Sequence, residues 1–188
     1  MENSKNLQFA EMQLPADKEQ IGKWEELYKD YDGMKQIEEF ILENHLIYSL
    51  GEVIETNYER FPIGDNEIKK AYVMKKDDGE IVSFVIFDVF DMNQPDPTMI
   101  IQYIVVNPKY QGQGYGKETL NTLLGQVKDI ACVQPQEFFS YINMKNYGSQ
   151  KLFLSRGFNL NFVKNSEFFR AEATLPMLQQ DSTGPQPQ

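Results

Sequence analysis

The stretch from Ile104 to Asp129 constrains the fold most, because it reads as a strand, a glycine-rich turn and a helix in direct succession. A β-branched run, Ile104–Val106, precedes three alternating glycines at positions 112, 114 and 116. Turn amides that converge at a helix N-terminus, unshielded by side chains, form an anion-binding site. The segment therefore predicts a phosphate-binding turn. The helix after it is indicated by apolar residues at i, i+3, i+4 and i+7, namely Leu120, Leu123, Leu124 and Val127.

The spacing of these glycines excludes two common nucleotide-binding motifs. The dinucleotide fingerprint requires a third glycine at the position of Lys117. The P-loop requires a glycine at the position of Gln111 and a serine or threonine at that of Glu118, so no hydroxyl is available for magnesium. What remains is the pattern Gln-x-x-Gly-x-Gly, which begins at Gln111 and follows Pro108.

A second segment, residues 146–158, has the pattern of a short capped helix. Asn146 is suited to the N-cap, and Gly157 stands where a left-handed residue ends a helix. Between them the sequence reads Asn-x-x-Ser-x-x-Leu-Phe-x-x-x-Gly-Phe. The preceding run, Glu137–Asn143, predicts a strand.

Hydrophobic patterning elsewhere predicts several strands and two N-terminal helices. The turn Asp77–Glu80 contains a glycine suited to positive φ and predicts a hairpin. The residues from Gln179 to Gln188 predict a disordered tail, which leaves residues 1–178 as one domain. The other predicted elements are strand Leu7–Leu14, helices Ala16–Tyr31 and Gly33–Ile47, strands Ile68–Lys76, Ile81–Phe90 and Met99–Val106, and a hairpin of Phe158–Val163 with Glu167–Thr174.

Together the two motifs resemble the signatures of the GNAT superfamily of acyl-CoA-dependent N-acyltransferases. The resemblance covers about residues 6–175 and implies an α+β (α/β layered) fold of one domain. Its central sheet is expected to be mixed and mostly antiparallel, with helices on both faces. The fourth and fifth strands, here Met99–Val106 and Glu137–Asn143, are expected to run parallel and to splay apart, so that the pantetheine arm of the coenzyme fills the gap.

The resemblance also implies which residues hold acetyl-CoA. Main-chain atoms of the fourth strand are expected to pair with pantetheine, the glycine-rich turn to hold the pyrophosphate, and the second motif to reach the pantetheine or diphosphate side. The expected residues are Ile104, Val105, Val106, Gln111, Gly112, Gln113, Gly114, Tyr115, Gly116, Lys117, Asn146 and Ser149.

The resemblance is less specific about the chemical step. The main-chain amide of Val105 is the expected oxyanion donor. Many relatives have a tyrosine acid at the position of Phe153, so Tyr147 or solvent must replace it here. Some relatives have a glutamate base at the position of Gln102, whose amide takes no proton at neutral pH. Relays through water are open to Tyr103, to Asp88 and to one of Glu52 and Glu55, and Gln102 stays among the candidate catalytic residues.

Composition and charge limit the classes of ligand and partner that we expect. A single histidine and a single cysteine predict no metal site and no internal disulfide. A net charge of −10 disfavours nucleic acid, which requires a basic face. No signal peptide or membrane-length apolar run is apparent, so we expect a cytoplasmic protein without a membrane partner, as a monomer or homodimer.

The negative charge is concentrated between Ala16 and Glu59, where twelve acidic residues and four lysines leave a balance of −8. Two interpretations are open: solvated helix faces, or an electronegative wall that attracts a cationic amine. Two functions are open as well. The first is an acetyl-CoA-dependent N-acetyltransferase acting on a primary amine of a small cationic molecule or a lysine, and the second is a non-catalytic acyl-CoA-binding sensor or interaction module.

Overall fold

The computed structural model describes residues 6–24 and 66–180. Helix Gly33–Ile47, Glu52, Glu55 and most of the acidic block lie outside the described residues, as do residues 181–188 of the predicted tail. In chain order the elements are β1 (Leu7–Glu11), α1 (Ala16–Gly22), β2 (Ile68–Lys76), β3 (Ile81–Phe90), β4 (Thr98–Val106), a 3-10 turn (Pro108–Tyr110), α2 (Tyr115–Ala131), β5 (Glu137–Asn143), α3 (Tyr147–Leu154), β6 (Asn159–Phe162), β7 (Phe168–Thr174) and α4 (Leu175–Gln180).

The strands form one seven-stranded sheet in the order β1-β2-β3-β4-β5-β7-β6. The pairs β1–β2, β5–β7 and β6–β7 are antiparallel, whereas β4 and β5 are parallel. Parallel neighbours need a crossover, and α2 supplies it between β4 and β5. The prediction of an α+β fold with a mixed, mostly antiparallel sheet and a parallel fourth and fifth strand is confirmed.

The chain divides into two compact units. Within the described residues, the first unit consists of 6–24, 69–87 and 103–125, and the second consists of 66–68, 88–102 and 126–180. No helix among these residues is long and apolar enough to cross a lipid bilayer.

The first unit buries an apolar core formed by α1, β2, β3 and residues that follow β1 and α1. Trp24 packs at a tilt against Phe84, with ring centroids 6.1 Å apart. Asp17, one of the acidic residues of the N-terminal block, is also buried, and its carboxylate pairs with Lys75 Nζ at 2.7 Å. At least this acid therefore has a structural role. The core residues are Met12, Ile21, Trp24, Ala71, Val73, Ile81, Phe84 and Ile86.

The second unit has its core between β5, β7 and α3. Phe153 of α3 is 3% exposed and meets Phe158 edge-on, with ring centroids 5.0 Å apart. Gly157 has a φ of 78°, which confirms the left-handed residue predicted at the end of this helix. Alternate residues of the paired strands complete the core: Phe138, Ile142, Ala171 and Ala173.

Several element boundaries differ from the sequence predictions. Strand β1 ends at Glu11 rather than Leu14, and α2 begins at Tyr115, two residues before the first predicted position. The helix α4 includes Gln179 and Gln180, which the composition assigned to the tail. Leu178 is buried and holds this helix on the unit, a tertiary contact that composition does not report.

Candidate active site

The glycine-rich turn connects β4 to α2 and has an open surface. Gly112 and Gly114 have φ values of 73° and 87°, in the left-handed region that favours glycine. A Cβ added at either position would meet no heavy atom within 4 Å. Gly116 lies in the first turn of α2, so positive φ in this turn is confined to the first two glycines.

The N-terminus of α2 directs amide hydrogens toward this surface. The first helical hydrogen bond runs from Glu118 N to the Gly114 carbonyl at 3.0 Å. The amides of Gly116 and Lys117 precede this bond, where helix geometry points N–H groups out of the N-terminus. The Lys117 side chain is exposed beside them. Positive helix-dipole potential, amides and an ammonium group together make the turn suited to an anion.

The side-chain amides of Asn107, Gln111 and Gln113 brace the turn. Asn107 is 4% exposed, its backbone amide donates to the Val82 carbonyl at 2.9 Å, and its side-chain oxygen accepts from Lys109 N at 3.1 Å. The Gln111 amide donates to the Val106 carbonyl at 3.3 Å, and that of Gln113 to the Lys109 carbonyl at 3.1 Å. The two glutamines of the motif therefore hold the backbone of the turn with their side chains.

An ionic cluster that the sequence did not reveal anchors the other side of the turn. Glu80 accepts hydrogen bonds from Lys76 at 2.6 Å and Lys109 at 3.2 Å, and also from the Tyr110 hydroxyl. The Lys76 hydrogen bond is the main reason that the pKa of Glu80 falls to about 2, and Glu80 in turn raises the pKa of both lysines. The cluster joins the β2–β3 hairpin to the residue directly before Gln111.

The carboxyl half of β4 exposes part of its surface. Ile104, Val105 and Val106 are all half-buried, whereas Met99 and Ile101 earlier in the strand are buried. Val105 packs on the core of the first unit, together with Tyr103. Val106 packs on a second cluster formed by Met74, Val82 and Tyr115.

The pairing of β4 with β5 is short. It joins Thr98 to Glu137, Met99 to Phe138 and Ile100 to Phe139, although β4 continues to Val106 and β5 to Asn143.

The second motif forms a capped helix, as predicted. The Asn146 side chain accepts a hydrogen bond from Ser149 N at 3.0 Å, so this amide oxygen is used as the N-cap. Tyr147 is 64% exposed at the first position of α3, and Ser149 is half-buried. The Gln150 amide, which the sequence did not single out, donates to the Met144 carbonyl at 2.7 Å and braces the loop before α3.

The remaining positions considered for catalysis, Gln102, Tyr103 and Phe153, lie in three different environments. Gln102 is exposed on β4, and its amide nitrogen donates to Asp88 Oδ2 at 2.7 Å. Tyr103 is half-buried and packs on the core of the first unit. Phe153, at the position where many relatives have a tyrosine, is enclosed by the core of the second unit.

Comparison with protein families identifies the family of this chain. A model described as the acetyltransferase (GNAT) family matches residues 24–158, which include both motifs. The chain belongs to the GNAT acetyltransferase family. This acetyltransferase matches no curated protein sequence.

Solved structures confirm the fold of this acetyltransferase. A spermidine N-acetyltransferase from Vibrio cholerae, in complex with CoA and spermine, aligns with a TM-score of 0.63 and 17% identity, covering 94% of this chain and 99% of that one. An acetyltransferase from Thermus thermophilus aligns with a TM-score of 0.62 and 13% identity, covering 90% and 97% of the two chains. At such identities the likeness concerns the fold.

Proposed function

We propose that this protein transfers the acetyl group of acetyl-CoA to a primary amine of a small cationic molecule or of a lysine. The observation that carries the proposal is the open turn at Gly112 and Gly114, placed directly before the N-terminus of α2. A side chain at either glycine would occupy the space that a pyrophosphate needs. The Vibrio cholerae relative, which is a spermidine N-acetyltransferase in complex with CoA and spermine, supports both halves of the proposal.

The cofactor residues take distinct roles in this proposal. Backbone amides from Gly112 to Lys117 bind the pyrophosphate, and the side chains of Gln111 and Gln113 keep these amides in position. Main-chain groups of Ile104 and Val106 pair with pantetheine in the manner of an added strand. Asn146 and Ser149 contribute by fixing the start of α3.

Acyl transfer then requires an oxyanion donor and two proton movements. When bound, acetyl-CoA supplies a thioester. The acceptor starts as an ammonium ion and loses two protons as its nitrogen bonds to the thioester carbonyl carbon and the C–S bond breaks, so that one proton ends on the thiol and the other in solvent. The Val105 amide donates to the carbonyl oxygen as negative charge develops on it. In this proposal Tyr147 gives the thiolate its proton, and water beside Gln102 and Tyr103 accepts the amine proton.

The test is thiol release from acetyl-CoA across a panel of amines comprising polyamines, aminoglycosides, amino acids and lysine peptides. The proposal expects at least one cationic amine to release thiol in stoichiometric yield with its acetylated product. Tight binding of acetyl-CoA without turnover on any amine would instead support the alternative function of an acyl-CoA-binding sensor.

A further inference from the structure

One hydrogen-bonded pair on the sheet is not explained by coenzyme binding. Asp88 of β3 is 4% exposed, and Gln102 of β4 is exposed. The Gln102 amide nitrogen lies 2.7 Å from Asp88 Oδ2. A buried carboxylate requires hydrogen-bond partners, and here an exposed side chain supplies one of them.

The carboxylate fixes the orientation of the Gln102 amide. The Gln102 amide turns its nitrogen toward Asp88 and donates to Oδ2. The amide oxygen, Oε1, then remains as the acceptor on the exposed side chain. Because the donor half of the amide already donates a hydrogen bond to a carboxyl group, its dipole is polarised and Oε1 becomes a stronger acceptor.

The position of Gln102 on β4 places this acceptor where the strand loses its parallel partner. The last β4–β5 pair is Ile100 with Phe139, and the Ile101 carbonyl is bonded by the Ser140 hydroxyl at 2.8 Å. Gln102 is the next residue, and strand alternation puts its side chain on the face of Ile100. It thus stands at the entrance to the half of β4 that we assign to pantetheine.

We propose that Gln102 Oε1 binds the acceptor amine and that Asp88 is a positioning residue that acts through Gln102. The proposal rests on the proposed function and identifies what selects the acceptor. A primary ammonium or amine offers several N–H donors to Oε1, whereas an alcohol offers only one. The pair therefore favours primary amines and orients the nitrogen, while the proton that the amine loses goes to water.

A double-mutant cycle tests this assignment with butylamine and Nα-acetyl-lysine amide at saturating acetyl-CoA. We expect Gln102→Leu and Asp88→Asn each to raise the acceptor KM about tenfold, the usual worth of a charge-assisted hydrogen bond. The KM for acetyl-CoA should stay within about twofold, because neither residue is among those that we assign to the coenzyme. The acceptor KM of the double variant should equal that of Gln102→Leu alone, since Asp88 acts through Gln102.

Matched controls are Gln8→Leu, an exposed glutamine of β1, and Asp91→Asn, an exposed aspartate near the end of β3. Both should leave the acceptor KM unchanged. An unchanged acceptor KM in Gln102→Leu, or a double variant whose loss is the product of the two single losses, overturns the proposal. Should Asp88→Asn fail to fold, the exposed Gln102→Leu variant decides the matter alone.

Failure of the proposed function is recognised separately, because the wild type would then release no thiol with any amine. In that case calorimetry with the same two amines, in the presence of CoA, compares the wild type with Gln102→Leu. A loss of amine affinity of about tenfold in the variant supports the amine site. Equal affinity in the two proteins, or no amine binding to the wild type, overturns it.

Discussion

The hydroxyl of Ser140 donates a hydrogen bond to the carbonyl oxygen of Ile101 at 2.8 Å, directly beyond the last residue pair that joins β4 to β5. Ser140 is 5% exposed, so water does not readily replace this bond. The Ser140 hydroxyl thus gives this carbonyl the hydrogen bond that a backbone N–H of a neighbouring strand gives elsewhere in the sheet. The parallel pairing ends here without leaving a buried acceptor unsatisfied.

Ser140→Ala should lower the free energy of unfolding by about 1–3 kcal/mol, because it leaves the Ile101 carbonyl buried without this donor. Urea unfolding of the purified protein measures the change. The matched control is Ser155→Ala, which removes an equally long hydrogen bond, 2.8 Å to the Leu152 carbonyl, from an exposed site. Its cost should be below about 0.5 kcal/mol, because water replaces the hydroxyl. Equal losses in the two variants would contradict the burial argument.

Gly114→Val should abolish coenzyme A binding while the protein stays folded. The residue has a φ of 87°, and its Cβ would point into open space where the pyrophosphate is proposed to lie. Calorimetry should show at least about a hundredfold loss of affinity, and the left-handed conformation adds about 1–2 kcal/mol of strain.

The control for that variant is Gly125→Val in the middle of α2, where an added Cβ also meets no heavy atom within 4 Å. This substitution should preserve the affinity for coenzyme A, because the position is three helical turns from the glycine-rich turn. Unchanged coenzyme A affinity in a folded Gly114→Val protein would remove the turn from the binding site.

Glu80→Gln should lower stability at neutral pH, and the loss should shrink in acid. The Lys76 hydrogen bond lowers the pKa of Glu80 from 4.5 to about 2 in the folded state. A carboxyl with a depressed folded pKa stabilises above its unfolded pKa, and this contribution is lost as the pH falls from about 4.5 to 2. Because the partners are partly solvated, the loss at pH 7 should be no more than about 1 kcal/mol. Urea unfolding at pH 7, 4 and 3 measures it, and a loss that grows in acid would contradict the assignment.

Tyr147→Phe and Phe153→Tyr should have opposite effects: the first should lower kcat and leave stability nearly unchanged, and the second should lower stability without raising kcat. Tyr147 is 64% exposed, so its loss should leave stability within about 0.5 kcal/mol and lower kcat by about tenfold if it protonates the thiolate.

The sequence alone suggests that a tyrosine at position 153 either raises turnover or leaves it unchanged. Because Phe153 is buried against Phe158, we expect its new hydroxyl to cost about 1–3 kcal/mol without raising kcat. Higher turnover in Phe153→Tyr would show that the ring reaches the leaving sulfur.

The acceptor KM should rise with ionic strength if the −8 block between Ala16 and Glu59 attracts a cation. Salt screens such attraction over a Debye length of about 10 Å at 0.1 M. The measurement compares initial rates from 50 to 500 mM potassium chloride for a cationic and a neutral acceptor. A neutral or anionic acceptor that outperforms every cationic one would leave the block as a solvated surface.

The turn shows how much local sequence can specify. Alternating glycines, an apolar helical face and the Asn146 cap act within a few residues, so their spacing already predicts the turn, the helix and the capped α3. The hairpin around Gly79 follows for the same reason, since only glycine adopts its φ of 82° without strain. The family follows from two such local motifs in their order along the chain.

Long-range pairs depended on the tertiary structure instead. Glu80 meets Tyr110, and Asp88 meets Gln102, because strand order and register bring residues from different elements together. No spacing rule reports such a pairing, because a shift of one residue in register would turn each side chain to the opposite face. The sequence thus determined the local geometry of a turn that is suited to an anion. The fold alone decided which charges neutralise one another, which aromatic ring is buried and which polar atoms remain exposed.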